Sequence, residues 1–244
     1  MRMATILLLC ALSWVLWTGC VPRGNDAARA RSGKYYDVTF RERGGVTVDG
    51  RLDESAWRAV AARSDFSFPW RDRAAPATEL QCCFDRQMFY FAFRVQDGDV
   101  VIEGPCDQET VVAREDRVEI FFSCDPELRT YYCLEIDPVG RVLDYQAHFY
   151  RQFDDRWNCP GLSVAGRRTD DGYVVEGAIP LETFRAWGML GSTGRRSLLV
   201  GAYRAEFSYG SDGAVREEWI SWVHPRSETP DFHIPSSFGR FNFP

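Results

Sequence analysis

The chain has 244 residues with 29 Lys and Arg against 35 Asp and Glu, a net charge of −6, and 14% of its residues are aromatic. That acidic balance excludes an ordinary nucleic-acid binder, because phosphate contacts need a concentrated basic face. No G-x-S-x-G, H-E-x-x-H, phosphate loop or Cys-x-x-Cys pair occurs, so the common hydrolase, nucleotide and zinc signatures are absent.

Residues 1–19 read as a signal peptide. Arg2 supplies a minimal positive start, and the apolar run from Thr5 to Trp17 falls short of the about 20 residues that cross a bilayer. Thr18-Gly19-Cys20 follows and resembles a bacterial lipoprotein signal, with Cys20 as lipidation site and mature N-terminus. Trp17 departs from that pattern, where an aliphatic residue is usual. The competing reading is an ordinary secretory signal cut near Gly19. Both imply export, and the first places the protein on a bacterial membrane, on the periplasmic or cell-surface side. Residues 20–34 are polar and poor in bulky apolar side chains, which makes them a flexible tether. Residues 35–244 are expected to form one domain.

Within that domain, D-E-S-A-W-R-A-V from Asp53 begins like a capped helical turn. Leu80 to Phe84 and Phe89 to Val95 alternate like strands around a turn. Arg117 to Ser123 and Tyr131 to Asp137 flank D-P-E-L-R-T, a second hairpin signal. Further strands are expected over Val142–Phe149, Gly172–Pro180, Leu198–Phe207 and Glu217–Trp222. P-L-E-T-F-R-A-W from Pro180 reads as a short helix with proline in its first turn. From Trp222 to Phe238 the chain holds Pro225, Pro230, Pro235, His224 and His233 without either period, and reads as a loop. Many short strands with little helix predict an all-β, antiparallel β-sandwich, immunoglobulin-like or jelly-roll-like, with one or two helical turns. Cys82, Cys83, Cys106, Cys124, Cys133 and Cys159 lie in this exported domain, where disulfides are expected with the pairing left open.

Five of these segments together resemble the carbohydrate-binding module family 9 group and its family-9-like relatives. They are V-D-G-R-L-D-E-S-A-W from Val48, D-R-V-E-I-F-F from Asp116, Y-Y-C-L-E-I-D-P-V-G from Tyr131, G-Y-V-V-E-G-A-I-P from Gly172, and S-W-V-H-P-R-S-E-T-P-D-F-H-I-P-S-S-F-G from Ser221. The resemblance spans Val48 to Phe243. It implies a non-catalytic sandwich that holds an oligo- or polysaccharide between aromatic rings, alongside glycan-degrading enzymes or surface proteins. One expected ring position falls on Ala113 and is lost; the second falls on Phe232. The central-strand glutamate falls on Glu119. A late-strand polar position falls on Ala205, beside the basic Arg204.

The residues themselves leave alternatives open. Sugar rings stack their C–H faces on aromatic rings and need fixed polar partners, so an exposed aromatic beside carboxylates or arginine suits them. Phe232 is either such a ring, stiffened by Pro230 and Pro235, or a plug beneath its loop. Glu119 either faces a ligand or is a solvated strand residue. Arg204 donates to sugar hydroxyls or pairs with a carboxylate. Trp57, Trp187 and Trp222 read as core. Trp70 and Trp157 sit in polar contexts, and either is a candidate to replace the ring missing at Ala113. Asp116 and Glu119 point to opposite faces of a strand and form no glycosidase pair. A metal triad of His224, His233 and Asp231 is the weaker metal reading. Calcium on Asp-rich turns such as Asp154-Asp155 is the stronger. A haem-binding electron-transfer domain using Met88 and His148, and a scaffold that has lost sugar binding, are the alternative functions.

Overall fold

The computed structural model describes residues 33–42, 45–104, 109–190 and 197–244. The signal peptide, nearly all of the tether with Cys20, and Cys106 lie outside them. Alternating apolar residues set the strands: β1 (Tyr35–Asp37), β2 (Thr39–Phe40), β3 (Thr78–Phe84), β4 (Met88–Gln96), β5 (Arg117–Ser123), β6 (Tyr131–Ile136), β7 (Val142–His148) and β8 (Gln152–Asp154). They continue with β9 (Ser163–Thr169), β10 (Gly172–Pro180), β11 (Ser197–Tyr209), β12 (Val215–Ser221) and β13 (Gly239–Asn242). Among the described residues, two helices, α1 (Ser55–Arg58) and α2 (Leu181–Ala186), and 3₁₀ turns at Glu109–Arg114 and Pro235–Ser237 accompany the strands. None of the described helices is long and apolar enough to cross a membrane.

The strands form two sheets, one ordered β1-β13-β11-β5-β6-β7-β8 with β12 also on β11, the other β2-β3-β4-β10-β9. Pairing is antiparallel except for β1 with β13 and β2 with β3. The expected β-sandwich is therefore present. Val118, Ile120 and Phe122 of β5 join Leu134 and Ile136 of β6 in one core with Phe89, Phe91 and Phe93 of β4 and Val175 and Ile179 of β10. Each such side chain contributes about 1.5–3 kcal/mol on burial.

The other face of the larger sheet is also covered. Phe121, Tyr131, Cys133, Tyr145 and Tyr203 form a second cluster with Phe232 and Phe238 from the loop that follows β12. Covering both faces leaves every residue of β5 buried. The loop between residues 223 and 238 is thus a lid on half of that face, and it sets where the sheet stays open.

The opening segment is fastened by one buried carboxylate. Glu176 of β10 accepts the Trp57 indole N–H at 2.8 Å and the backbone N–H groups of Asp49 and Gly50 at 2.9 Å each. Gly50 holds φ +77°, a region that favours glycine. Trp57 and Trp222 are core residues, as expected.

Two expectations change. Pro180 ends β10 and stands as the N-cap of α2 rather than inside its first turn. No disulfide joins described residues: Cys82, Cys83, Cys133 and Cys159 are buried free thiols. They pack as small apolar side chains, and burial pushes the Cys83 and Cys159 thiols up to about 12.

Candidate functional site

A cavity of about 390 Å³ opens on the uncovered part of the larger sheet, beside the loop after β12. Two cross-strand rows build its floor. In one, Tyr203, Glu119, Glu135 and Leu143 are successive partners on β11, β5, β6 and β7. In the other, Trp219 of β12, Ala205 of β11 and Arg117 of β5 are partners. The period of two puts all of these on the face away from Val118 and Ile120.

One guanidinium organises the floor. Arg117 reaches Glu119 at 3.0 Å and Glu135 at 2.6 Å, and the Tyr145 hydroxyl donates to Glu135 at 2.7 Å. All four side chains are buried. Burial, and then the Glu135 carboxylate beside it, push the Glu119 carboxyl up against the pull of Arg117. Ala205 is small enough for Arg117 to lie 5.5 Å from the Trp219 ring. The side wall is aromatic. Phe232 stacks on Tyr203 with centroids 4.0 Å apart and planes at 9°, while Trp219 stands edge-on to Phe232 at 5.7 Å.

The far wall comes from β8 and the turn before it. Arg151 pairs with Asp231 at 3.1 Å, the Tyr150 hydroxyl donates to Asp231 at 2.5 Å, and the His233 N–H donates to it at 2.9 Å. Asp231 thereby ties the loop to the β7–β8 connection. His233 lies under the loop with Nδ1 3.0 Å from the Tyr131 hydroxyl, and burial, helped by Arg151, pushes its pKa down to about 3. Exposed Ala113 stands at the rim with no ring.

Among the residues singled out in the sequence, the structure brings Glu119, Asp231, Phe232, His233 and the empty ring position Ala113 to one cavity, with Phe232 only 5% exposed and so closer to the plug beneath its loop than to a presented ring. Trp70 lies next to it, 5.7 Å from Phe232, with its indole N–H donating to the Ser227 carbonyl at 2.9 Å. Arg204 does not line the cavity. It is fully buried on the core side of β11, where it bonds the Gln96 carbonyl at 3.0 Å and pairs with Asp97 and Glu206. Trp157 is also elsewhere, packed on Tyr132 at 5.1 Å and Trp187 at 5.8 Å. Asp116 accepts the Val101 and Phe207 backbone N–H groups from inside the fold.

The metal and haem candidates are dispersed. His233 is buried, His224 is exposed, and His148 on β7 faces the Arg129 carbonyl at 2.7 Å. Met88 packs on the core from the smaller sheet, whereas His148 belongs to the larger one. Among the described residues, three potential oxygen ligands converge only at Asp97, Asp99 and Glu206, within 4.8 Å, and not at Asp154-Asp155. The Arg204 guanidinium already lies against two of those three.

Arg117, Tyr145, Arg151 and above all Trp219 were not singled out in the sequence. The signal for Trp219 was present in W-I-S-W, where Trp222 joins the core, buried Ile220 pairs with the core-side Arg204, and Trp219 is left on the face of Glu119.

Comparison with known proteins agrees with this architecture. No curated protein matches the chain at a significant level. A candidate carbohydrate-binding protein from Bacteroides uniformis superposes with a TM-score of 0.66 at 17% identity, covering 87% of this chain and all of its own. A family 9 carbohydrate-binding module from Caldicellulosiruptor kristjanssonii, solved with glucose, gives 0.51 at 18% identity over 86% of this chain and 96% of its own. Its complex with cellotriose gives 0.53 at 16% identity over 86% and 93%. The family model described as "carbohydrate family 9 binding domain-like" matches residues 48–243, and the chain belongs to that family of non-catalytic binding modules.

Proposed function

We propose that this domain binds an oligosaccharide in the cavity bordered by Phe232, Trp219 and the Glu119–Arg117–Glu135 network. One observation carries the reading. Half-buried Trp219 borders the cavity beside a floor of oriented charged groups, and Phe232, buried and stacked on Tyr203 at 4.0 Å, holds that wall rigid. An apolar ring supplies the surface for sugar C–H groups, and fixed carboxylates and guanidinium supply partners for hydroxyls. Both carboxyl groups engage one arginine, which fixes them as partners for hydroxyls. With a single stacked ring and hydrogen bonds exchanged against water, affinity is weak per site. The relatives solved with glucose and cellotriose make glucose oligomers the first ligands to try.

The test is a glycan array probed with the full chain in detergent and with its Phe232→Ala variant. Binding to a defined backbone that vanishes in a variant with unchanged circular dichroism is expected. No binding to any glycan would defeat the proposal in favour of a protein scaffold, the reading that Ala113 supports. Export and anchoring through Cys20 belong to the same proposal, supported by the apolar run Thr5–Trp17 and the Thr18-Gly19-Cys20 sequence. Radiolabelled palmitate should enter the wild-type protein and not Cys20→Ala; equal labelling of both would exclude that anchor.

A further inference from the structure

Trp219 has a second surface. A smaller hollow of about 210 Å³ lies beside the cavity and shares Trp219 and Pro230 with it. Its remaining lining is Trp70, Arg71, Glu228 and Thr229. Trp70 is half-buried, and the hydrogen bond from its indole to the Ser227 carbonyl fixes the plane of the ring. Phe232 lies 5.7 Å from Trp70 on one side and 5.7 Å from Trp219 on the other. Trp219 borders both spaces and Trp70 the hollow, and buried Phe232 packs against both rings from behind the surface. Arg71, paired with Glu218 at 3.3 Å, and the exposed Glu228 and Thr229 provide a polar edge along the hollow.

The sizes argue against two independent ligands. Pockets that hold a small molecule alone span about 300–1,000 Å³. The first cavity sits at the low end of that range and the hollow falls below it. A ligand made of repeating, similar units suits two adjoining spaces that share an aromatic side chain, because each unit presents the same pair of faces, apolar and hydroxylated.

We propose that the hollow is a second subsite, in which Trp70 and Trp219 hold the next unit of an oligosaccharide whose first unit occupies the cavity. Trp70 therefore extends the site along the ligand rather than replacing the ring absent at Ala113. The inference rests on the sugar-binding reading of the cavity and adds that affinity depends on chain length.

The experiment uses an array carrying each glycan backbone as a mono-, di-, tri- and tetrasaccharide, probed with the full chain, Trp70→Ala and Trp70→Phe. Wild type is expected to bind the di- or trisaccharide about tenfold better than the monosaccharide of the same backbone. Trp70→Ala should erase that gain while leaving the monosaccharide signal within about twofold, and Trp70→Phe should restore part of it. Equal signals for wild type and Trp70→Ala at every length would overturn the second subsite. So would a loss that is as large for the monosaccharide as for the trisaccharide. If wild type binds no backbone at all, the cavity reading itself fails, and the subsite with it.

Discussion

At the scale of single residues, the cavity is decided by a few small side chains and one charge. Ala205 leaves room for Arg117 and Trp219 to meet across β11, and Arg117 keeps Glu119 and Glu135 together. Ala113 acts in the opposite sense, because an exposed methyl group at the rim leaves a bound ring uncovered on that side. Ala113→Trp is therefore expected to tighten sugar binding about three- to tenfold, the gain typical of one added aromatic contact. Titration calorimetry of both proteins with the array-selected sugar checks this, and unchanged or weaker binding would show that no ligand passes beneath position 113. The alanine was legible in the sequence as a missing ring. Trp219 on the other side was not, because it reads there as one more strand residue.

At the scale of elements, alternation was enough to place most strands. Arg117–Ser123 and Gly172–Pro180 form strands over the expected residues, because each pairs on both sides and its ends are set by turns. The elements not expected are the edges and short pieces, β1, β2, β8, β9 and β13. β8 is exposed at all three positions, and β9 carries Gly166, Arg167 and Arg168 with no buried residue. Such segments become strands by pairing with a neighbour, a cause that local sequence does not carry. The same holds for the residues of the opening motif. Trp57 reads as an inward tryptophan, yet its partner, Glu176, lies 119 positions away.

At the scale of the whole molecule, buried carboxyls make stability depend on pH. Burial raises the Glu206 carboxyl from its usual 4.5 to about 7, despite Arg204 beside it. Burial shifts Asp116 and Glu119 in the same direction. Between the ordinary and raised values the unfolded chain has lost a proton that the folded chain keeps, so stability falls as pH rises through that window. His233 works the other way. Its lowered value of about 3 makes the unfolded chain the stronger proton binder up to about 6.5, so its contribution rises with pH over that range. Between pH 6.5 and 8, above the range of His233 and below that of the buried thiols, the raised carboxyls set the slope. The thermal unfolding midpoint should therefore decline from about pH 6.5 to 8, and Glu206→Gln should flatten the lower part of the decline. An identical slope in the variant would remove Glu206 from the account.

What the sequence by itself determined is the two-sheet architecture, the family, and the choice of two segments, those of Glu119 and Phe232, that border the cavity. Alternation, turn residues and motif order are local properties, and they survive without knowledge of partners. The tertiary structure alone decided the rest. Arg204 and Glu119 both alternate with apolar neighbours, but the first faces Gln96 of the opposite sheet and the second faces the cavity. Among the described residues, Cys82 and Cys133 stay apart as buried thiols because they belong to different apolar clusters, one between the sheets and one beneath the loop. Trp70 and Trp219 met Phe232 only when the loop after β12 folded back over the sheet. Such contacts depend on which faces are covered, a property of the assembled layers.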